Sequence, residues 1–368
     1  MIYLDNAATT MQKPLAVRKA VEEALCLSGS AGRSSHEAAE YASQIAFECR
    51  YLASKMFECP PEHVVFTFNA THGLNIAIKS IIQKGDRVVI SGFEHNAVLR
   101  PLYAIGAEIV VAGRKLFDQD DTVSSFAAKI DKNTKAVVCT HMSNVFGYIL
   151  PIEKIAAICK ERNVSLIVDA AQSAGVLPIS LKKLEAKYIA MPGHKGLFGP
   201  QGTGLLLCKD SAQPLLEGGT GSASKVLYMP QVLPDRLEAG TQNMHGIAGL
   251  LEGLRFVNRK IPEEVLSHEA KMIALINKLI SGEKYTVFSS IKCQGGVLSL
   301  VPDMTCCENV SNLLSQAGFA VRSGFHCAPL AHESAGTYDS GTIRVSVSAF
   351  TTTDEIEKFC EFMNNIKC

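Results

Sequence analysis

The stretch Ala186-Lys187-Tyr188-Ile189-Ala190-Met191-Pro192-Gly193-His194-Lys195, running on through Gly196-Leu197-Phe198-Gly199-Pro200-Gln201-Gly202-Thr203-Gly204, decides how this chain reads. Its opening, residues 186–190, is an apolar run with the length of a short buried strand. The strand delivers His194 and Lys195 into a glycine-rich turn, where backbone can approach a ligand closely. Upstream, Ser165-Leu166-Ile167-Val168-Asp169-Ala170-Ala171-Gln172 is a second apolar strand that ends in an acid. Ligands of open α/β sheets bind at the carboxyl ends of the strands, where Asp169 and Lys195 both fall. Singly, such an acid is a helix cap and such a lysine a solvated charge. As a pair on consecutive strands, 26 positions apart, they outweigh those readings.

The pattern extends on both sides. Runs at Arg87–Ile90, Glu108–Val111, Ala136–Cys139 and Leu166–Val168 alternate with helical periodicity such as Ile152–Ile158. This βα alternation predicts an α/β fold with a mainly parallel sheet covered by helices on both faces. A helix is predicted from His245 to Arg259, and Pro262 opens a last α+β piece. At 368 residues the chain exceeds the size at which a single core stops growing, so a second, smaller domain is expected. Within that frame a lysine amine becomes a covalent catalyst when its surroundings lower its pKa. Pyridoxal phosphate calls for such a lysine, together with an acid at its pyridinium nitrogen.

Taken with Tyr3-Leu4-Asp5-Asn6-Ala7-Ala8-Thr9-Thr10 at one end and Gly341-Thr342-Ile343-Arg344-Val345-Ser346 at the other, these motifs are ordered as in a known family. The chain resembles the cysteine desulfurase and selenocysteine lyase family, within the class V aminotransferase superfamily of fold-type I pyridoxal-phosphate enzymes. The resemblance implies a large domain over 15–245 with a seven-stranded-type sheet, and a smaller α+β domain assembled from 1–14 and 246–368. It also implies a site. Lys195 would carry the cofactor, Asp169 would face the pyridinium nitrogen, and His95, in Gly92-Phe93-Glu94-His95-Asn96-Ala97, would stack on the ring. Asn144 and Gln172 would face the ring's phenolic oxygen. Phe66-Thr67-Phe68-Asn69-Ala70-Thr71 resembles the phosphate loop, in which amides at a helix N-terminus and the Thr71 hydroxyl hold the dianion. His194 would reach the same phosphate, and Thr241, in Arg236-Leu237-Glu238-Ala239-Gly240-Thr241, would donate to the phosphate of a neighbouring subunit in a homodimer.

Two positions depart from the family pattern. Pro192 stands where a serine usually contributes a phosphate hydroxyl, and it has neither hydroxyl nor N–H. Ala70 occupies a position that often carries a second hydroxyl.

Arg322-Ser323-Gly324-Phe325-His326-Cys327-Ala328-Pro329-Leu330 resembles the segment bearing the family's nucleophile. Only a thiolate attacks sulfur, and Arg322 and His326 are expected to make the surroundings of Cys327 electropositive. Of the 12 cysteines, Cys139, Cys159 and Cys208 lie in apolar runs and read as core. No metal site is expected, since vicinal Cys306 and Cys307 lack a second pair at zinc-ligand spacing. Arg344 is carried over as the clamp for a substrate carboxylate, which a guanidinium grips at two points. Arg322, Asn144 and Ala7 are placed beside it, with Arg33 and His36 in a loop closing over the substrate.

The implied activity is conversion of L-cysteine to L-alanine with a persulfide on Cys327, destined for an acceptor protein. Selenocysteine lyase, releasing selenide, is the alternative. A class V aminotransferase would keep Lys195, Asp169 and Arg344 without needing Cys327. Composition adds exclusions: Lys+Arg and Asp+Glu are 36 each, leaving no electrostatic case for nucleic acid or an anionic membrane. With no charged-then-apolar leader and no run of about 20 apolar residues, a soluble cytoplasmic enzyme is expected.

Overall fold

The computed structural model describes residues 1–32, 34–260 and 262–366. A short N-terminal strand, β1 (Ile2–Tyr3), stands apart from a main sheet built from β2 (Val64–Thr67), β3 (Arg87–Ser91), β4 (Glu108–Ala112), β5 (Thr134–Thr140), β6 (Ser165–Asp169), β7 (Tyr188–Pro192) and β8 (Gly204–Cys208). Its order is β2-β8-β7-β6-β5-β3-β4. Only β8 runs against its neighbours β2 and β7, so the sheet is mainly parallel, as the βα alternation predicts. Parallel strands covered on both faces read as continuous apolar runs. Val88–Ile90, Ala136–Cys139 and Leu166–Val168 have that character and are buried. One apolar core lies on each face, the first centred on Val89, Val168 and Met191, the second on Val88, Ile167 and Ala190.

The remaining strands are β9 (Tyr285–Phe288), β10 (Val297–Pro302), β11 (Phe319–Ala320), β12 (Arg322–Gly324) and β13 (Thr342–Ser346). Four form an antiparallel sheet in the order β12-β13-β10-β9. The N-terminal arm reaches the same end of the molecule: β1 pairs parallel with β11, and Leu4 enters a third core with Leu298, Ile343 and Phe359.

The division expected after residue 245 falls inside a single helix, Met244–Lys260. Its Ile247, Leu250 and Leu254 share the core of Val168 and Met191, so this helix packs with the large sheet rather than with the smaller domain. Glycine permits the approach. A Cβ at Gly253 would stand 2.2 Å from the Leu197 carbonyl oxygen, within the turn that follows Lys195. The predicted helix is therefore real, and tertiary packing assigns it to the other body.

A second close approach involves a buried acid. Glu269, on the helix Pro262–Leu279, is 7 % exposed, and burial pushes its carboxyl up to about 8 against the pull of a hydrogen bond with the Gly296 backbone. A Cβ at Gly296 would sit 2.4 Å from Glu269 Oε2. Between its ordinary value of 4.5 and about 8, the folded chain holds a proton that the unfolded chain has released. Stability therefore falls as pH rises through that window, by up to about 1.4 kcal/mol per pH unit. Glu269→Gln removes this dependence, so its melting temperature relative to wild type should rise between about pH 5 and about pH 8. A difference that stays constant across that range would show that Glu269 is ionised in the fold.

Candidate active site

Thr140 at the end of β5, Asp169 at the end of β6, Pro192 at the end of β7, and the segments that follow β2 and β3 converge on one cavity with about 500 Å³ of open space. It lies at the carboxyl ends of the parallel strands, where helix N-termini and strand-end side chains meet. Ala70, Thr71, His95, Asn144, Asp169, Gln172, His194 and Lys195 all line it. Eight residues singled out in the sequence, from five segments of the chain, thus meet at this one cavity.

Lys195 is half-buried at the end of the strand-to-turn segment, and its amine is lowered to about 8, by loss of solvent first and the Arg344 charge second, with Asp169 and Asp5 opposing. A neutral amine is therefore available near pH 8. Asp169 is 2 % exposed. Burial raises its carboxyl, while a hydrogen bond from the Ala171 amide (2.9 Å) and the Lys195 charge favour the ionised form. The helix Ala70–Ile81 starts at the cavity wall, where the Asn69 side chain caps it by accepting from the His72 amide at 2.9 Å. Thr71 stands in its first turn. A lysine amine lowered toward neutrality, a buried acid and a helix N-terminus in one cavity fit the aldehyde, ring nitrogen and phosphate of pyridoxal phosphate.

The histidines are neutral. His95 caps the helix Asn96–Ile105 by accepting from the Ala97 amide (3.0 Å), and burial with the nearby Lys195 charge lowers it to about 4. His194 is lowered to about 4 for the same reasons and meets the Thr9 hydroxyl at 3.0 Å through Nδ1. Two amides are partly engaged: Gln172 Nε2 donates to the Ala7 carbonyl at 3.0 Å, and Asn144 Nδ2 donates to the His326 carbonyl at 2.7 Å.

That last bond ties the cavity wall to the predicted nucleophile. Cys327 is exposed, and the Asn96 amide, next to His95, donates to its carbonyl at 2.8 Å. His326 and Cys327 both adopt left-handed backbone, φ 49° and 57°, which costs roughly 1–2 kcal/mol per residue without glycine. The expected electropositive setting is only half present. His326 is 4 % exposed, turns Nε2 to Thr342 and is lowered to about 2 by burial and by the Arg344 charge, so it brings no positive charge to Cys327. Arg322 is the exposed cation of the segment. Cys139, Cys159 and Cys208 are buried with their thiols pushed up by burial, as core cysteines. Among the described residues no cluster of three or more His, Cys, Asp or Glu could hold a metal.

Arg344 is 2 % exposed in mid-β13, where its guanidinium Nη2 donates to Asp5 Oδ1 at 2.6 Å and Nη1 to the Asn144 carbonyl at 3.1 Å. The sequence motif assigns Asp5 no role, because nothing local shows that the arm pairs alongside β13. Ala7 donates its amide to Ser346 Oγ at 2.8 Å and lies outside the cavity wall. His36 is exposed and accepts from the Ala39 amide at 3.3 Å, capping the helix Glu37–Met56. Arg33 lies outside the described residues. Thr241 is exposed and does not line the cavity of its own subunit. Its loop is anchored by Glu238, which takes Arg50 in a two-point pair and accepts from the Phe66 amide at 2.6 Å. Sequence reasoning missed this ion pair, whose members are 188 positions apart.

Comparison with known proteins gives one consistent answer. The aminotransferase class-V family matches residues 2–359. A probable cysteine desulfurase of Methanothermobacter thermautotrophicus is 29% identical over 99% of this chain and 94% of its own length. Another, from Haemophilus influenzae, is 31% identical over 98% of this chain and 84% of its own. The apo structure of a cysteine desulfurase from Thermococcus onnurineus NA1 superposes with a TM-score of 0.90 at 28% identity, covering 99% of this chain and 94% of that one.

Proposed function

The chain belongs to the aminotransferase class-V family and is a pyridoxal-phosphate-dependent enzyme, and on that premise we propose that it is a cysteine desulfurase. The reading takes L-cysteine to L-alanine and leaves the sulfur as a persulfide on Cys327. The observation that carries it is the Cys327 turn, bonded through its backbone to Asn144 and Asn96 beside the cavity. An aminotransferase has no use for an exposed thiol held in strained backbone at that place.

Bound pyridoxal phosphate supplies the electron sink for a carbanion at the substrate Cα. Lys195 would hold its aldehyde carbon, Asp169 its ring nitrogen, and the Ala70–Thr71 helix start with His194 its phosphate. His95 would cover the ring, and Asn144 and Gln172 would meet its phenolic oxygen with their remaining polar atoms. Pro192 lines the cavity without a donor, so the amides and the Thr71 hydroxyl carry more of the phosphate. Arg344, with Arg322 opposite it, would clamp the substrate carboxylate. Lys195, lowered to about 8, is neutral often enough near neutrality to take the proton from Cα. Cys327 then attacks as thiolate: a bond forms between its sulfur and the substrate sulfur, the Cβ–S bond breaks with its electron pair left on Cβ, and one proton delivered to Cβ and the Cα proton returned by Lys195 give alanine.

Thr241 would act across a homodimer interface, donating to the cofactor phosphate of the partner, which accounts for its exposure in one subunit. The persulfide would pass to an acceptor protein. Selenocysteine is the second substrate the turn favours. The hydrogen bonds that hold residues 325–328 to Asn144, Asn96 and Thr342 restrict the reach of Cys327, and selenium leaves more readily without thiolate attack.

Three outcomes are expected. Lys195→Ala should lose the visible absorbance of the cofactor, and a wild-type protein that stays colourless with excess pyridoxal phosphate would overturn the reading. Cys327→Ala should keep that absorbance while alanine release from L-cysteine falls by at least about a hundredfold and release from L-selenocysteine persists; wild-type turnover of L-cysteine would remove Cys327 from the mechanism. Light scattering should give twice the chain mass at micromolar concentration, and a fully active monomer would exclude the shared site.

A further inference from the structure

Arg344 is held from inside the protein. Its Nη2 donates to Asp5 Oδ1 at 2.6 Å and its Nη1 to the Asn144 carbonyl at 3.1 Å, while Nε is buried without a hydrogen-bond partner. In the antiparallel pairing of β12 with β13, Arg322 stands directly opposite Arg344. Like charges so placed repel. Asp5 offsets one of them, and one positive charge remains for an anion. The Asp5 side chain is 20% exposed, and the backbone around it is fixed independently: the Asp5 carbonyl accepts from the Tyr3 hydroxyl at 3.2 Å and the Ala8 amide at 3.1 Å. Its carboxylate can therefore leave Arg344 by side-chain rotation alone.

A guanidinium grips a carboxylate at two points along either of two edges, Nε with Nη2 or Nη1 with Nη2. Both edges include Nη2, the nitrogen that Asp5 holds. An entering carboxylate must share that nitrogen with a second negative charge or displace it. We propose that Asp5 is a resident competitor for the substrate carboxylate, occupying Arg344 in the resting enzyme and setting the affinity with which an amino acid exchanges for it. This rests on the reading of Arg344 as the substrate clamp. Asp5 is then an affinity-determining residue that acts through Arg344.

Calorimetric titration of propionate, a carboxylate with no amine to react, into the cofactor-loaded enzyme tests the competition directly. Asp5→Asn, which keeps the shape and removes the charge, should bind propionate at least about fivefold tighter, the scale of one charge-assisted hydrogen bond, and lower the KM for L-cysteine in parallel. Asp5→Ser should shift affinity in the same direction, and Asp5→Glu, which retains the charge, should show no gain. Unchanged or weaker propionate binding in both neutral variants overturns the proposal. Arg344→Lys, which lacks the two-point edge, should weaken propionate binding in wild-type and Asp5→Asn backgrounds alike. If it does not, the clamp reading itself fails.

Discussion

Arg344 is buried and Lys195 half-buried, and the Arg344 charge is felt at the Lys195 amine. Two cations so placed, one of them out of water, are costly unless acids stand close by. Asp169 and Asp5 provide them, one from the end of β6 and one from the N-terminal arm, and the rest of the site is arranged around this balance. Because burial and Arg344 outweigh the two acids at Lys195, its amine is poised near neutrality rather than locked as an ammonium. The fold supplies this by bringing the large sheet, the smaller sheet and the arm together beside Lys195, where Asn6, Ala7, Val297 and Ser346 share a cleft with it.

Burial explains the histidines, and the same cations reinforce it at three of them. His95, His141, His194 and His326 are all lowered, first by burial, and for His95, His194 and His326 by neighbouring cations as well. Each ring that would otherwise carry a proton near pH 6.5 is neutral and works as a hydrogen-bonding or stacking surface. A site rich in histidine thus carries its positive side-chain charge on lysine and arginines alone, and the helix N-terminus at Ala70–Thr71 is the other source of positive potential for a phosphate.

Of the non-glycine residues with left-handed backbone, His326 and Cys327 are consecutive among the described residues, and their strain has a use. The left-handed pair His326–Cys327 persists because its carbonyls accept from Asn144 and Asn96 and because His326 is locked against Thr342. Such strain is sustained only where surrounding contacts over-determine it. The bonds that offset it run to residues at the cofactor cavity, so the position of the thiol and the shape of the cavity are coupled.

Sequence alone determined the alternating βα order, the strand-end positions of Asp169 and Lys195, the helix start at Ala70–Thr71 and the burial of Cys139, Cys159 and Cys208. Each of these is written in local periodicity or in a motif of a few residues, where spacing along the chain and direction in space are the same information. Tertiary structure decided the rest. It placed Met244–Lys260 against the large sheet, because which apolar face a helix finds is a matter of packing. It neutralised His326, because burial and the Arg344 charge are invisible eighteen positions away along the chain. It brought Asp5 onto Arg344 across 339 positions, since the ion pair is fixed by the arm pairing alongside β13 and no local pattern records that pairing.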